Sequence, residues 1–306
     1  MKRLISVILM CLALCGCAVH KQETVYHMNT VMNLQVWGKD CDTALARCEV
    51  ILNDMESLWS VTDEDSTLSC LNQGQDVKLD TPYQEFLHQV EALSQRTGST
   101  FNPKLYALSK TWGFYNEDYR IPSQEEIDIA LADHQMDLGA ALKGYAGTQL
   151  VRDLEKQRID RAILNLGGNV QTYGSKPDGS PWQIGIQNPD GGDYLGIVSV
   201  TGTMAVVTSG DYQRYFEIDG VRYHHILDSR TGYPADSGIR SVTVICADGL
   251  TADCLSTALF VMGLEDGANF WRASDDFEAV FITTDGQVFA TEGANFSGCS
   301  YEVITR

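Results

Sequence analysis

IRSVTVICADGLTADCLSTALFVMG, residues 239–263, joins two periodicities in one short stretch. Residues 239–246 are rich in β-branched side chains and predict a strand; from Thr251 the chain turns apolar on nearly every helical face, the pattern of a helix inside a core. Asp253 is the exception. At about 100° per residue it stacks above Thr257, and the same stripe continues into Phe260 and Val261. A cap at Asp248 or Thr251 would start this helix and place Asp253 in its first turn, where a negative charge suits the helix dipole. Alternatively, the carboxylate and hydroxyl present two hard oxygen ligands to a cation.

Upstream, residues 24–38 alternate like one strand ending at Gly38, and Asp40–Trp59 is amphipathic with Ala44, Cys48, Ile51, Met55 and Leu58 inside. The polar stretch TDEDSTLSCLNQGQD predicts a loop. Helices are expected over Thr81–Thr97, Ser123–Asp133 and Gly139–Gln157, with a further one over Glu265–Ala273. Strands are expected at Arg161–Leu166, Trp182–Gln187, Gly196–Thr201, Ala205–Ser209, Arg214–Ile218 and Tyr223–Leu227, and a hairpin closes around Asp285-Gly286. Helices and strands are partly segregated, without an interdomain linker. The expected class is therefore α+β, one compact unit with mixed or antiparallel sheets and packed helices.

The chain has 306 residues and a formal charge of −19. Residues 1–16 combine Lys2 and Arg3 with an apolar run and small residues, predicting a signal peptide. Leu14-Cys15-Gly16-Cys17 resembles the lipobox of bacterial lipoproteins, which implies cleavage before a lipidated Cys17, palmitate included. The expected division is then a signal peptide at 1–16, a tether at 17–23 and a folded domain at 24–306. Removing Lys2 and Arg3 takes the formal charge to −21. Such a surface repels nucleic acid and anionic lipid, so an anionic ligand needs a metal, a helix N-terminus or a few placed cations. Of the six cysteines after Cys17, none has metal-type spacing, and Cys41 and Cys48 lie too far apart on one helix to pair. Buried free thiols are expected.

Four clusters are dense in chemistry. Asp137-Leu138-Gly139-Ala140-Ala141-Leu142-Lys143-Gly144-Tyr145-Ala146 opens a helix with small residues and a lysine, suited to a phosphate or to tight packing alone. Asn165-Leu166-Gly167-Gly168-Asn169 ends a strand in paired glycines, a tight turn or a place where a ligand nears the backbone. Ser209-Gly210-Asp211-Tyr212 is the third. The fourth, His224-His225-Ile226-Leu227-Asp228-Ser229-Arg230-Thr231-Gly232-Tyr233-Pro234, runs two histidines into a charged turn. Adjacent strand residues face opposite ways, so at most one histidine addresses a given site, and no third ligand is spaced for zinc.

Together with Met28-Asn29-Thr30, Gly98-Ser99-Thr100-Phe101-Asn102-Pro103 and Trp112-Gly113-Phe114, these motifs, in this order, resemble the ApbE-type flavin transferases, a lipoprotein family of FAD:protein FMN transferases with a T-fold-like architecture. The resemblance runs from about Tyr26 to Gly263. It implies that Met28, Trp59, Thr100, Phe101, Asn102, Asp137, Lys143 and the backbone near Leu227 hold FAD. It further implies Mg²⁺ on Asp253, Thr257 and the Ala140 carbonyl, and His225 as the catalytic histidine. Departures are Asn29 where the family usually has Gly, Ser229 where it has Pro, and the order around Ala141-Leu142.

The implied reaction moves FMN from FAD to a threonine hydroxyl of a partner flavoprotein and releases AMP. The partner would carry a Thr-containing flavinylation motif, as a subunit of a membrane redox complex or an extracytoplasmic flavoprotein. The lipid anchor would hold the enzyme on the extracytoplasmic face of a bacterial cell membrane, in the periplasm of a Gram-negative cell. Two other readings fit the same residues: an Mg²⁺-dependent FAD pyrophosphatase giving FMN and AMP, and a non-catalytic flavin-binding lipoprotein.

Overall fold

Strand alternation builds the centre of this computed structural model, which describes residues 19–306. The expected signal peptide and the expected lipidation site, Cys17, lie outside the described residues. β1 (Val19–His27) and β2 (Thr30–Gly38) form an antiparallel hairpin. The single strand expected over 24–38 is thus two, and regular pairing begins at Val19, inside the stretch expected as a tether. The chain folds back at Met28-Asn29, both at positive φ (50° and 57°), the left-handed geometry of a two-residue type I′ turn. Asn tolerates that region best among residues with a side chain, which is why Asn29 can stand where glycine is usual. Glu56 pins the turn, accepting from the Met28 amide at 3.1 Å and contacting His27 Nδ1 at 3.1 Å.

α1 (Cys41–Trp59) follows as expected, but the polar loop contains a short helix, α2 (Thr67–Asn72), capped by the Ser66 hydroxyl. α3 (Thr81–Arg96), α4 (Tyr106–Thr111), α5 (Gln124–Ala132) and α6 (Leu142–Lys156) complete the helical half. A capping box between Ser123 and Glu126 fixes the start of α5. α6 begins three residues later than the sequence predicts, because residues 139–141 form a turn.

The strand-rich half runs β3 (Ile159–Leu166), β4 (Asn169–Tyr173), β5 (Trp182–Gln187), β6 (Tyr194–Val200), β7 (Ala205–Gly210), β8 (Tyr215–Ile218), β9 (Val221–His224) and β10 (Ile239–Cys246). α7 (Gly249–Arg272) leaves helical geometry at Gly263 (φ 84°), matching the two consecutive helices expected there. β11 (Phe277–Thr283), β12 (Val288–Thr291), β13 (Phe296–Gly298) and β14 (Glu302–Ile304) close the chain. The nine-stranded sheet has the order β1-β2-β3-β4-β7-β10-β11-β12-β14, antiparallel except for β12 and β14. A three-stranded sheet, β13-β6-β5, and the β8-β9 hairpin are separate.

Period-2 alternation assigns the two faces of the large sheet. Val207, Val244, Ala279 and Phe281 pack on α7, while Val206, Ile245, Val280 and Ile282 pack on the small sheet. Met32, Leu34, Leu164 and Leu166 carry α1 and α6 on the same side as α7. A fourth cluster around Trp112, Phe114 and Ile127 lies under the β8-β9 hairpin. All six cysteines in the described residues are free, four of them buried. Among the described residues no helix is long and apolar enough to cross a membrane.

Candidate functional site

Asp248 settles the start of α7: its carboxylate accepts from the Thr251 amide at 2.8 Å. Asp253 therefore lies one turn deeper than a first-turn, dipole-complementing acid would. It is 5% exposed. Desolvation raises its pKa above the usual carboxylate value, against the opposing pull of Lys143 and the Gly144 amide. A buried charge in this position needs a partner that water no longer supplies.

One partner is already in place. The Gly144 N–H donates to Asp253 Oδ2 at 2.8 Å. In a regular helix that N–H would go to the Ala140 carbonyl, four residues back. Its diversion leaves the Ala140 oxygen without a hydrogen bond among the described residues. A free carbonyl, a carboxylate with a second oxygen and the Thr257 hydroxyl thus border the same cavity. Thr257 Oγ1 stands 3.3 Å from Ser209 Oγ, which also bonds Ser256 at 2.7 Å. These donors fit a hard divalent cation, which favours oxygen and shares its coordination with water and substrate phosphate. No cage of three His, Cys, Asp or Glu occurs among the described residues, so a zinc-like site is absent there.

Two glycines make this approach possible. A Cβ on Gly144 would come within 2.1 Å of the Gly249 carbonyl oxygen, and one on Gly249 within 2.4 Å of the Gly144 oxygen. The first turns of α6 and α7 therefore touch backbone to backbone. We expect Gly144→Ala to push them apart and lower stability by about 1–3 kcal/mol, the usual scale of overpacking. Urea unfolding measures this; an unchanged midpoint would show that the contact is slack.

The other expected residues reach the same cavity from separate elements. Met28 comes from the β1-β2 turn and Trp59 from the end of α1; Thr100, Phe101 and Asn102 follow the left-handed pair Gly98-Ser99. Trp59 is buried, and its indole N–H has no protein partner. Asp137 accepts from the Tyr115 hydroxyl and, at 2.9 Å, from the Gly139 amide. Lys143, in the first turn of α6, and Leu227 complete the set expected to hold FAD. Every residue expected to hold flavin or metal, and His225 with them, lines this one cavity.

The two histidines are separated as expected, one buried and one at the cavity, although the strand ends between them. His224 is buried: its Nε2 donates to the Ala235 carbonyl (3.2 Å), and its Nδ1 accepts from the Ile226 amide (3.3 Å), so both nitrogens are occupied. The expected strand to Leu227 stops at His224, and His225 sits at a bend before the isolated Leu227–Pro234 bridge. His225 Nδ1 stands 3.1 Å from the Arg214 carbonyl. A carbonyl only accepts, so Nδ1 carries the proton and Nε2 keeps its lone pair. The imidazole pKa falls to about 3, by desolvation first and then by the Arg214 and Lys143 charges. The ring is half-buried at the cavity wall and neutral at physiological pH.

Some residues that look chemical in the sequence are structural. Asp228 takes Arg230 in a two-pronged pair (2.7 and 2.9 Å), and Asp211 takes Arg240 at 2.9 Å. Ser229 hydrogen-bonds the Ser99 carbonyl at 3.1 Å, tying the charged turn to the Thr100 loop without the usual proline. The Gly167-Gly168 pair, at φ 72° and 89°, is a tight turn, and Gly167 also lines the cavity. The sequence assigns no role to Arg214 and marks Asn169 only as the end of a glycine turn; tertiary folding brings both to the cavity. Arg214, exposed at the mouth, and Lys143 make no ion pair among the described residues.

A model of the ApbE family matches residues 28–281. A Klebsiella pneumoniae (strain 342) protein named FAD:protein FMN transferase is 33% identical over 274 residues, covering 81% of this chain and 84% of its own. A Treponema pallidum (strain Nichols) protein of the same name is 30% identical over 308 residues, covering 87% and 85%. Among solved structures, the ApbE protein of Thermotoga maritima MSB8 superposes with a TM-score of 0.82 at 30% identity, over 90% of this chain and 97% of that one. Flavin transferase ApbE from Vibrio cholerae gives 0.80 at 26% identity, over 90% and 98%.

Proposed function

Since this chain belongs to the ApbE family, we propose that it is a magnesium-dependent FAD:protein FMN transferase. It is a flavinyl transferase that takes FAD as substrate and a flavoprotein as acceptor, and the acceptor group is a threonine hydroxyl. The observation that carries the reading is the diverted Gly144 amide, which frees the Ala140 carbonyl beside Asp253 in a cavity that also holds Lys143 and His225.

Asp253, Thr257 and the Ala140 carbonyl would hold Mg²⁺, which when bound supplies Lewis-acid polarisation of the pyrophosphate. Lys143 and Arg214 offset the anionic charge that this acidic protein otherwise repels. Met28, Trp59, the Thr100–Asn102 loop, Asp137 and Leu227 fix the dinucleotide, with the unpaired Trp59 N–H free to donate to it. His225 Nε2 accepts the proton of the acceptor threonine as its oxygen attacks the phosphorus on the FMN side. The bond to the AMP oxygen breaks, AMP leaves, and FMN remains as a phosphoester on the partner.

The Leu14-to-Cys17 lipobox supports anchoring by lipid at the extracytoplasmic face of a bacterial membrane, beside acceptors carrying a Thr-containing motif, in redox complexes or as free flavoproteins. The test is incubation with FAD, Mg²⁺ and a candidate acceptor, with and without chelator. Flavin fluorescence retained on the denatured acceptor, and lost with chelator, is expected. Free FMN formed without acceptor would indicate a pyrophosphatase instead, and absence of AMP in every condition would leave only flavin binding.

A further inference from the structure

Asn169 opens β4 directly after the Gly167-Gly168 turn and is 1% exposed. Neither its Oδ1 nor its Nδ2 has a hydrogen-bond partner, yet its side chain lines the cavity. An unpaired buried polar group forfeits its hydration without replacement, and folded interiors retain few of them. A leucine would fill similar volume without that cost, so the carboxamide serves something other than packing.

Its surroundings define what it can serve. Asn169 pairs with Val207 on β7 and stands close enough to Asp253 to favour its ionised form, though short of a well-formed hydrogen bond. A carboxamide offers N–H donors at one end and an acceptor at the other. A bare anion satisfies only the first and a bare cation only the second. A hydrated cation held by a carboxylate satisfies both, since the carboxylate accepts and the bound water donates.

We propose that Asn169 is a positioning residue of the cation site, its Nδ2 hydrogen-bonding the Asp253 carboxylate and its Oδ1 accepting from a cation-bound water. This rests on the reading of Asp253, Thr257 and the Ala140 carbonyl as the magnesium ligands. Gly144 already engages one oxygen of Asp253. Asn169 then fixes which oxygen is turned to the metal.

Asn169→Leu tests this in the mature protein. Mg²⁺ is titrated by calorimetry into the FAD-free enzyme and, with FAD saturating, followed by flavin fluorescence; thermal unfolding is measured without metal. The variant should bind Mg²⁺ 10- to 100-fold more weakly, on the scale of about 10–100-fold known for partners of metal ligands. Its metal-free melting temperature should be nearly unchanged, because removing the poorly paired amide offsets the loss of its pull on the Asp253 charge. Asn169→Ser, which is smaller, serves if leucine prevents folding and should also weaken Mg²⁺. Wild-type Mg²⁺ affinity in a folded variant overturns the assignment, as does a lowered melting temperature with affinity intact. If the wild type binds Mg²⁺ and Asp253→Asn abolishes it while Asn169→Leu does not, only the role of Asn169 fails. If the wild type binds no Mg²⁺, the underlying reading fails with it.

Discussion

Asp253→Asn should reduce magnesium-dependent FMN transfer at least about a thousandfold, the loss that follows when several kcal/mol of charge stabilisation are withdrawn. The substitution keeps the shape of the side chain and an oxygen able to accept from the Gly144 amide at the 2.8 Å contact. What it removes is the negative charge. Because burial holds the Asp253 pKa above its usual value, the ionised acid destabilises the metal-free fold at neutral pH. The asparagine variant should consequently melt at the same temperature as the wild type or higher, and addition of Mg²⁺ should no longer raise that temperature. Turnover with unchanged magnesium dependence would remove Asp253 from the metal site; a collapsed melting temperature would mean that the carboxylate is structural.

His225→Gln should slow transfer to the acceptor by about 10²- to 10⁴-fold, the contribution usual for a positioned proton acceptor, while FAD and Mg²⁺ still bind. Glutamine can still donate to the Arg214 carbonyl but takes no proton. Without substrate the imidazole is a weak base, pushed down to about 3 by burial and by Arg214 and Lys143. A bound pyrophosphate neutralises those two cations, so the base should strengthen when substrate enters. The acid limb of kcat should therefore lie at higher pH than that of kcat/KM. The depressed folded-state pKa also gives a stability sign: this histidine's contribution is present above about pH 6.5 and is lost as pH falls toward 3. In the glutamine variant that part of the acid loss should vanish. Wild-type transfer by His225→Gln at saturating FAD and Mg²⁺ would exclude His225 as the base.

The α7 helix was readable because its apolar pattern leaves Asp253 and Thr257 as the two polar members of one stripe. The twelve expected site residues were readable only as separate motifs; nothing in their spacing states that Met28 and Asp253 share a wall. The β1-β2 turn escaped because Met28 carries no turn signal and Asn29 a weaker one than glycine. A clue was present: the inward set changes from Val25 and His27 to Met32, Leu34 and Val36, switching parity across the turn. Asp228 and Arg230 misled in the other direction, since a charged turn beside a histidine looks catalytic until each charge proves to hold the other. Arg214 had no local signal at all, and Asn169 only that of the glycine turn it follows. Their significance depends on what the fold leaves unpaired, and periodicity does not report that.

The backbone contact between Gly144 and Gly249 bears on how such a site is inherited. The Ala140 carbonyl and the Asp253 carboxylate belong to segments more than a hundred residues apart, and their separation is governed by two α-carbons that carry only hydrogen. Neither glycine side chain could ever appear in a list of ligands. The geometry of the proposed metal site is thus written partly in residues that give it no atom, and transplanting the ligands into another helix pair without these two gaps would not transplant the site.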